Sequence, residues 1–209
     1  MTGTDTGVGK TIVSAALLAA FPTAKYWKPV QSGSQEDDDT RTVRTLANTS
    51  PERCWEKGYR LKIPASPHHA AEAEDVEITL EKLNEWRPKT DTPWIVEGAG
   101  GLLVPLSRTL LLPDLIRALE LPVLVVSSTR LGTINHSLMT VETLRSMKIP
   151  TLGLIMNGER DPSAISGLAS HASTDVLLEV FPTEDMTPHF VQSLAASLAQ
   201  VPALQTALG

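Results

Sequence analysis

Short continuous apolar runs alternate along this chain with stretches in which apolar residues recur every three or four positions. "KTIVSAALLAAF" (10–21) is apolar on all sides and rich in alanine, which predicts a helix packed inside the domain and ended before Pro22. "AKYWKPV" (24–30) is a short β-like run ending at proline, and "GSQEDDDT" (33–40) is a polar loop. "TRTVRTLAN" (40–48) sets Val43, Leu46 and Ala47 at helical spacing. "EITLEKLNEWR" (77–87) puts Ile78, Leu80, Leu83 and Trp86 mostly on one face of an amphipathic helix. Later the period changes. "PWIVEGAGG" (93–101) reads as a strand stopping at Glu97, while "LPVLVVSS" (121–128) and "IPTLGLIMN" (149–157) are apolar runs of the doubly buried kind. "TDVLLEVFP" (174–182) is a fourth strand candidate. Between them "LPDLIRALE" (112–120) and "NHSLMTVETLRSMK" (135–148) read as helices, the second with an asparagine or threonine cap.

Strands alternating with helices predict an α/β fold: a mostly parallel sheet, right-handed crossovers and helices on both faces. Functional residues then gather at the carboxyl ends of strands, where Lys28, Glu97, Ser127, Ser128 and Asn157 fall. With no repeat, low-complexity tract or interdomain linker, residues 1–209 read as a single domain large enough for a real core.

Charge and cysteine usage change the picture in two ways. The 18 basic and 24 acidic residues give a net charge of −6, which disfavours a nucleic-acid-coating surface but leaves room for a local basic pocket. Cys54 is the only cysteine, so neither an intrachain disulfide nor a cysteine metal cluster can form. A chain that opens directly in a glycine-rich loop is expected to be cytoplasmic. The richest apolar stretch, 102–112, is broken by proline and arginine and falls short of the roughly 18 residues a membrane span needs.

The glycine-rich loop is "MTGTDTGVGKT". The usual phosphate-binding pattern, G-x-x-x-x-G-K-[ST], puts its first glycine where Thr4 stands, whereas Gly3 lies one residue earlier. The core Gly7-Val8-Gly9-Lys10-Thr11 is kept and runs straight into an alanine-rich helix. Small residues there turn backbone N–H groups towards phosphate oxygens, Lys10 adds a mobile positive charge, Thr11 offers a hydroxyl to Mg²⁺, and the helix adds its dipole. A carboxylate at a strand end commonly completes such a magnesium site, and Glu97 fits, followed by Gly98, Ala99, Gly100 and Gly101. A second acid is available in Glu36, Asp37, Asp38 and Asp39. The first three read as a solvated loop. Asp39 directly precedes a helix, so on spacing alone it is either an N-cap or a metal ligand.

Taken together, "TGTDTGVGKT", "YWKPVQSG", "SPHHAA", "VEGAGG" and "LGTINH" resemble the dethiobiotin synthetases, the ATP-dependent carboxylase-cyclases of biotin synthesis. The motifs run from Gly3 to about Pro182 in the family's order, and the G-x5-G-K-T spacing is the family's own variant. The resemblance implies a P-loop NTPase-like fold acting on 7,8-diaminopelargonic acid, CO₂ or bicarbonate and Mg-ATP. One amine captures CO₂ as a carbamate, which attacks the γ-phosphate. The second amine then closes the cyclic urea, releasing phosphate. It further implies Lys10 and Lys28 as the catalytic charges and Thr11, Asp39 and Glu97 as metal ligands. Gly7, Val8, Gly9, Lys10, Thr11, Ile12, Asp39, Glu97, Gly98, Ala99 and Gly100 would hold the phosphates and metal. Asn157, Gly158 and Pro182 would hold the adenine. Thr6, Ser32, Ser66 and Pro67 would line the diamine pocket. Gly132, Thr133, Ile134 and Asn135 would meet the substrate's tail carboxylate from a partner subunit, in a homodimer with composite sites and no nucleic-acid or membrane partner. Serine stands at 32 where the family often has threonine, and Gly158-Glu159 where it often has Asn-Asp. His68 and His69 are expected to be structural and Trp27 to be core.

Two rival readings share the scaffold. An ATP-dependent amidase or cobyrinate-type synthase would need a glutaminase domain with a nucleophilic cysteine, and Cys54 in "PERCWEKGY" has no such context. A ParA- or MinD-like switch would carry a lysine early in the loop, where Thr4, Asp5 and Thr6 stand. The family also places five or six mostly apolar residues of a central strand before this loop. Met1 stands where the last of them falls, so the resemblance leads us to expect an N-terminal strand that is truncated here.

Overall fold

A computed structural model of the chain describes residues 1–35, 38–183 and 185–209. Its strands are β1 (Thr2–Gly3), β2 (Lys25–Trp27), β3 (Val30–Gln31), β4 (Cys54–Trp55), β5 (Tyr59–Arg60), β6 (Trp94–Val96), β7 (Val123–Ser128), β8 (Thr151–Asn157) and β9 (Val176–Val180). Its helices are α1 (Lys10–Ala20), α2 (Asp39–Leu46), α3 (Pro67–Ala73), α4 (Leu80–Trp86), α5 (Leu112–Leu119), α6 (Thr133–Ser146), α7 (Pro162–His171), α8 (Pro188–Leu198) and α9 (Pro202–Leu208). No described helix is long and apolar enough to cross a membrane.

The strands pair in parallel in the order β1-β7-β8-β9 on one side and β4-β2-β6 on the other, with β3-β5 apart. The two larger groups meet at the N-terminus. The Met1 ammonium donates to the Val96 carbonyl at 2.6 Å, Gly98 N–H donates to the Met1 carbonyl at 3.0 Å, and Gly3 bridges Gly101 in parallel. Thus β1, only 2 residues long, is the seam between them. Towards the amino ends of β6 and β7 an apolar cleft of about 260 Å³ opens, lined by Met1, Trp94, Leu115, Val123 and Leu124 among others. Its lining is apolar and extends along β6 to Val96 and Gly98, whereas the polar residues collect at the carboxyl ends beyond it.

Alternation along β7 shows why helices cover both faces. Leu124 and Val126 join the cluster built on α1, α8 and α9, with Val13, Leu17, Val191, Leu198 and Leu204. Val123 and Val125 point the other way, into Val141, Leu144 and Leu154. A third cluster packs Trp27, Val30 and Leu83 with α5.

Several boundaries differ from the sequence reading. The run 24–30 splits at Lys28-Pro29 into two strands of different sheets, since proline has no N–H for the ladder. The helix expected over 77–87 starts at Leu80, with Thr79 as its N-cap accepting from Lys82 N–H. The helix expected at 135 starts at Thr133. Its N-cap is neither asparagine nor threonine but Gly132, at φ 96°, and Asn135 lies inside the first turn. The cap of α2 is Asp38, which accepts from Arg41 N–H, so Asp38 is more than a solvated acid and Asp39 is free for another role. Glu36 and Asp37 lie outside the described residues.

Candidate active site

The site is assembled at the carboxyl ends of the strands from residues far apart in sequence. Helix α1 begins at Lys10, immediately after Gly9, whose φ of 96° puts it in the left-handed region. An 11-residue helix therefore points its free N–H groups at the loop Thr4–Gly9. Lys10 folds back so that its Nζ donates to the Asp5 carbonyl at 3.0 Å. Burial, and next the Lys28 ammonium, lower its pKa to about 8. An anion placed in the loop would restore the charged form.

Opposite the loop stands a buried cluster. Lys28, one residue beyond β2 and 3 % exposed, donates to Asp39 Oδ2 at 2.6 Å, to Glu97 Oε1 at 2.9 Å and to the Gly98 carbonyl at 3.2 Å. Thr11 donates to Asp39 Oδ1 at 2.7 Å and lies 3.3 Å from Glu97 Oε1. Burial alone would lower the Lys28 pKa, but Glu97 and Asp39 outweigh it and hold the ammonium above its ordinary value. Burial would likewise raise Asp39, and Lys28 holds its carboxyl below the usual range. Four groups expected to handle phosphate and metal thus touch one another, with Lys28 Nζ in their midst. At that burial the Lys28 ammonium does not snorkel to the surface.

Two residues absent from the sequence reading fix this cluster. Ser14 Oγ donates to Glu97 Oε2 at 2.6 Å, and the Tyr26 hydroxyl donates to the same oxygen at 3.0 Å. Burial, and then Glu97, push the Tyr26 pKa well up, so its hydroxyl stays a donor. Glu97 is therefore held by one oxygen and offers the other. Ser14 could have been found: it is the polar exception in "IVSAALLAA", three and four residues after Thr11 and Lys10 and so on their face of the helix.

The other expected residues are placed as follows. Ser32 is half-buried, and its Oγ has no hydrogen-bond partner among the described residues. Thr6 is exposed at the loop tip, its N–H donating to Asp5 Oδ1. Pro67 is buried as the first residue of α3, and exposed Ser66 shares a 2.8 Å hydrogen bond with His68 Nδ1. The His68 and His69 rings are 6.4 Å apart and join no described metal cluster. Trp27 is fully buried and donates to the Lys57 carbonyl. Thr133 lies across from the chain's own loop, on a cavity of about 120 Å³ lined also by Thr4, Thr6, Arg130 and His136 among others, and Gly132 caps the helix just before it. A hydroxyl chain joins the two walls: Thr4 Oγ1 donates to Ser127 Oγ at 3.2 Å, which meets Thr133 Oγ1 at 2.9 Å and Ser137 Oγ at 2.8 Å. Asn157 ends β8 with its amide against the loop, donating to the Val8 carbonyl at 2.9 Å. Val8 is buried, Ile12 and Gly100 are half-buried, and Pro182 is exposed just beyond β9.

A family profile described as an AAA domain matches residues 1–189. An ATP-dependent dethiobiotin synthetase of Paramagnetospirillum magneticum is 43% identical over 202 residues, 97% of this chain and 93% of the relative. The chain belongs to the dethiobiotin synthetase family. A member from Nitrobacter hamburgensis is 48% identical over 161 residues, covering 77% of this chain and 74% of its own, and one from Brucella ovis is 43% identical over 188, covering 90% and 87%. Among solved structures the septum site-determining protein MinD of Pyrococcus horikoshii, complexed with Mg-ADP, superposes with a TM-score of 0.52 over 100% of this chain and 90% of its own. At 14% identity that likeness shows the P-loop fold alone. Family membership agrees with the early loop positions, Thr4, Asp5 and Thr6, which separate this chain from a MinD-like switch.

Proposed function

We propose that this chain is an ATP-dependent dethiobiotin synthetase, converting 7,8-diaminopelargonic acid, CO₂ and ATP to dethiobiotin, ADP and phosphate. The observation that carries the reading is the meeting of Lys28, Asp39, Glu97 and Thr11 opposite the phosphate loop. The reaction brings a carbamate oxygen onto a γ-phosphate, two anions, and fixed cations are what it needs most. Lys10 serves the phosphates from the loop side. Lys28 serves the carbamate and the oxygens of the transferred phosphoryl group from the sheet side. The carbamate oxygen forms a bond to phosphorus as the bond to ADP breaks. The second amine then attacks the carbamoyl carbon and phosphate leaves with the carbon–oxygen bond pair. Proximity supplies much of the acceleration, because both amines belong to one bound molecule.

The oxygens of Thr11, Asp39 and Glu97 fit Mg²⁺: they are hard donors, the two carboxylates already meet a cation, the Lys28 ammonium, and the Thr11 hydroxyl bonds to both carboxylates. When bound there, the ion would neutralise charge on the β- and γ-phosphates. The ATP itself is read as held by Gly7 to Ile12 and by the turn Gly98 to Gly100. Asn157, Gly158 and Pro182 form its base site. Thr6, Ser32, Ser66 and Pro67 face the diamine; the unpartnered, buried Ser32 hydroxyl supports this. Gly132 to Asn135 open a helix whose free N–H groups suit the tail carboxylate, and a homodimer lends that segment to the partner's site. A cytoplasmic setting accords with the single reduced, buried thiol.

The decisive experiment incubates the protein with diaminopelargonate, bicarbonate and Mg-ATP. Dethiobiotin at the expected mass with stoichiometric ADP is the predicted result. ATP consumption without that product would overturn the assignment.

A further inference from the structure

Asn157 stands 149 positions from Val8 in sequence, yet its Nδ2 donates to the Val8 carbonyl at 2.9 Å. The reverse amide orientation would set oxygen against oxygen, so the donor role follows from the chemistry. The contact is close on both sides. A Cβ added at Gly9 would lie 2.1 Å from Asn157 Nδ2, so the amide occupies the space that only glycine leaves open. Asn157 is itself anchored at the end of β8, in register with Ser128 and Val180, and the next N–H, that of Gly158, donates to the Val180 carbonyl at 2.9 Å. Its Oδ1 has no hydrogen-bond partner among the described residues.

We propose that Asn157 is a positioning residue for the phosphate loop, through the Val8 carbonyl, as well as a contact for the base. The Val8–Gly9 peptide is planar and trans, so holding its carbonyl fixes the opposite direction for the Gly9 N–H. That N–H opens α1 and belongs to the set that cradles phosphate. One amide thus uses Nδ2 to set the loop and keeps Oδ1 for the exocyclic amine of the base. Base and phosphates are coupled through a single side chain. The inference rests on the nucleotide reading above and adds a role that reading does not require.

The test separates the two roles with a ligand that has phosphates but no base. Wild type and Asn157→Ala are titrated with magnesium tripolyphosphate and with Mg-ATP, and the Gly9 amide is followed by NMR. We expect tripolyphosphate affinity to fall about fivefold, the worth of one ordinary hydrogen bond. ATP affinity should fall further, and the Gly9 resonance should shift in the ligand-free variant. Unchanged tripolyphosphate affinity and an unmoved Gly9 resonance, with weakened ATP binding, would overturn the positioning role and leave only a base contact. A wild-type protein that bound neither ligand would instead overturn the nucleotide reading. Should the alanine variant not fold, Asn157→Ser, too short to reach Val8, gives the same readouts.

Discussion

At the scale of single residues the site is organised around Lys28. Its ammonium balances two carboxylates in a region almost closed to solvent. On the proposed mechanism, removing it strips a fixed charge from the reacting groups while leaving the loop and Lys10 in place. Lys28→Gln should therefore lower turnover by about 10²-fold or more, with Mg-ATP binding retained. The same change removes a cation that competes for the Asp39 and Glu97 oxygens, so magnesium should bind the nucleotide-free variant more tightly than wild type. Single-turnover kinetics and a magnesium titration check the two halves separately. Turnover near wild type would take Lys28 off the catalytic list. The sequence singles out Lys10 by a motif and Lys28 only through the family resemblance, because a lone lysine at a strand end looks the same whether it snorkels or is buried. Ser14 and Tyr26 sit within apolar runs, and their roles depend on Glu97 arriving from 83 and 71 positions away.

At the scale of elements, the long apolar strands and the helices between them were readable because burial on both faces removes the ambiguity of period. Short strands were not. β4 and β5 are 2 residues each, and neither carries a pattern of its own. Caps escape the sequence where backbone geometry outranks side-chain chemistry, as at Gly132, and where adjacent acids compete, as at Asp38 and Asp39. The C-terminus of α1 shows a solution no local pattern announces. That helix has no basic residue in its last turn. Arg53, from a short 3-10 turn, supplies the charge instead, donating to the carbonyls of Leu18 at 2.7 Å, Phe21 at 2.8 Å and Ala24 at 2.7 Å. Arg53→Ala would leave those oxygens without their charged donor and remove a cation from the negative end of the dipole. We expect a loss of about 2 kcal/mol, about 4–8 °C in Tm. Activity below the transition should persist, since the other end of α1 carries the chemistry. A Tm within a degree of wild type would show that water replaces the guanidinium at little cost.

At the scale of the whole molecule, the proposed composite site calls for a second copy of the chain. Leu131 and Met139 are 106% and 61% exposed, large apolar side chains without cover on the subunit alone. Exposed Asn135 and Met139 are four residues apart, one stripe along the start of α6, and Leu131 stands just before its N-cap Gly132. That stripe carries the segment assigned to the substrate's tail carboxylate, so burying it against a second copy would bring the carboxylate-binding N–H groups to the partner's site. Such an arrangement would make activity a function of subunit concentration. Diluting the enzyme through its dimer dissociation range should make specific activity fall in step with the dimer fraction measured by sedimentation. Leu131→Asp should shift both curves to higher concentration together, while Mg-ATP binding to the separated subunits stays near wild type because the phosphate loop, Lys28 and Glu97 all belong to one chain. A monomer with full specific activity would break the link between the α6 stripe and catalysis, and would return the carboxylate to the cavity between Thr6 and Thr133 of the same subunit.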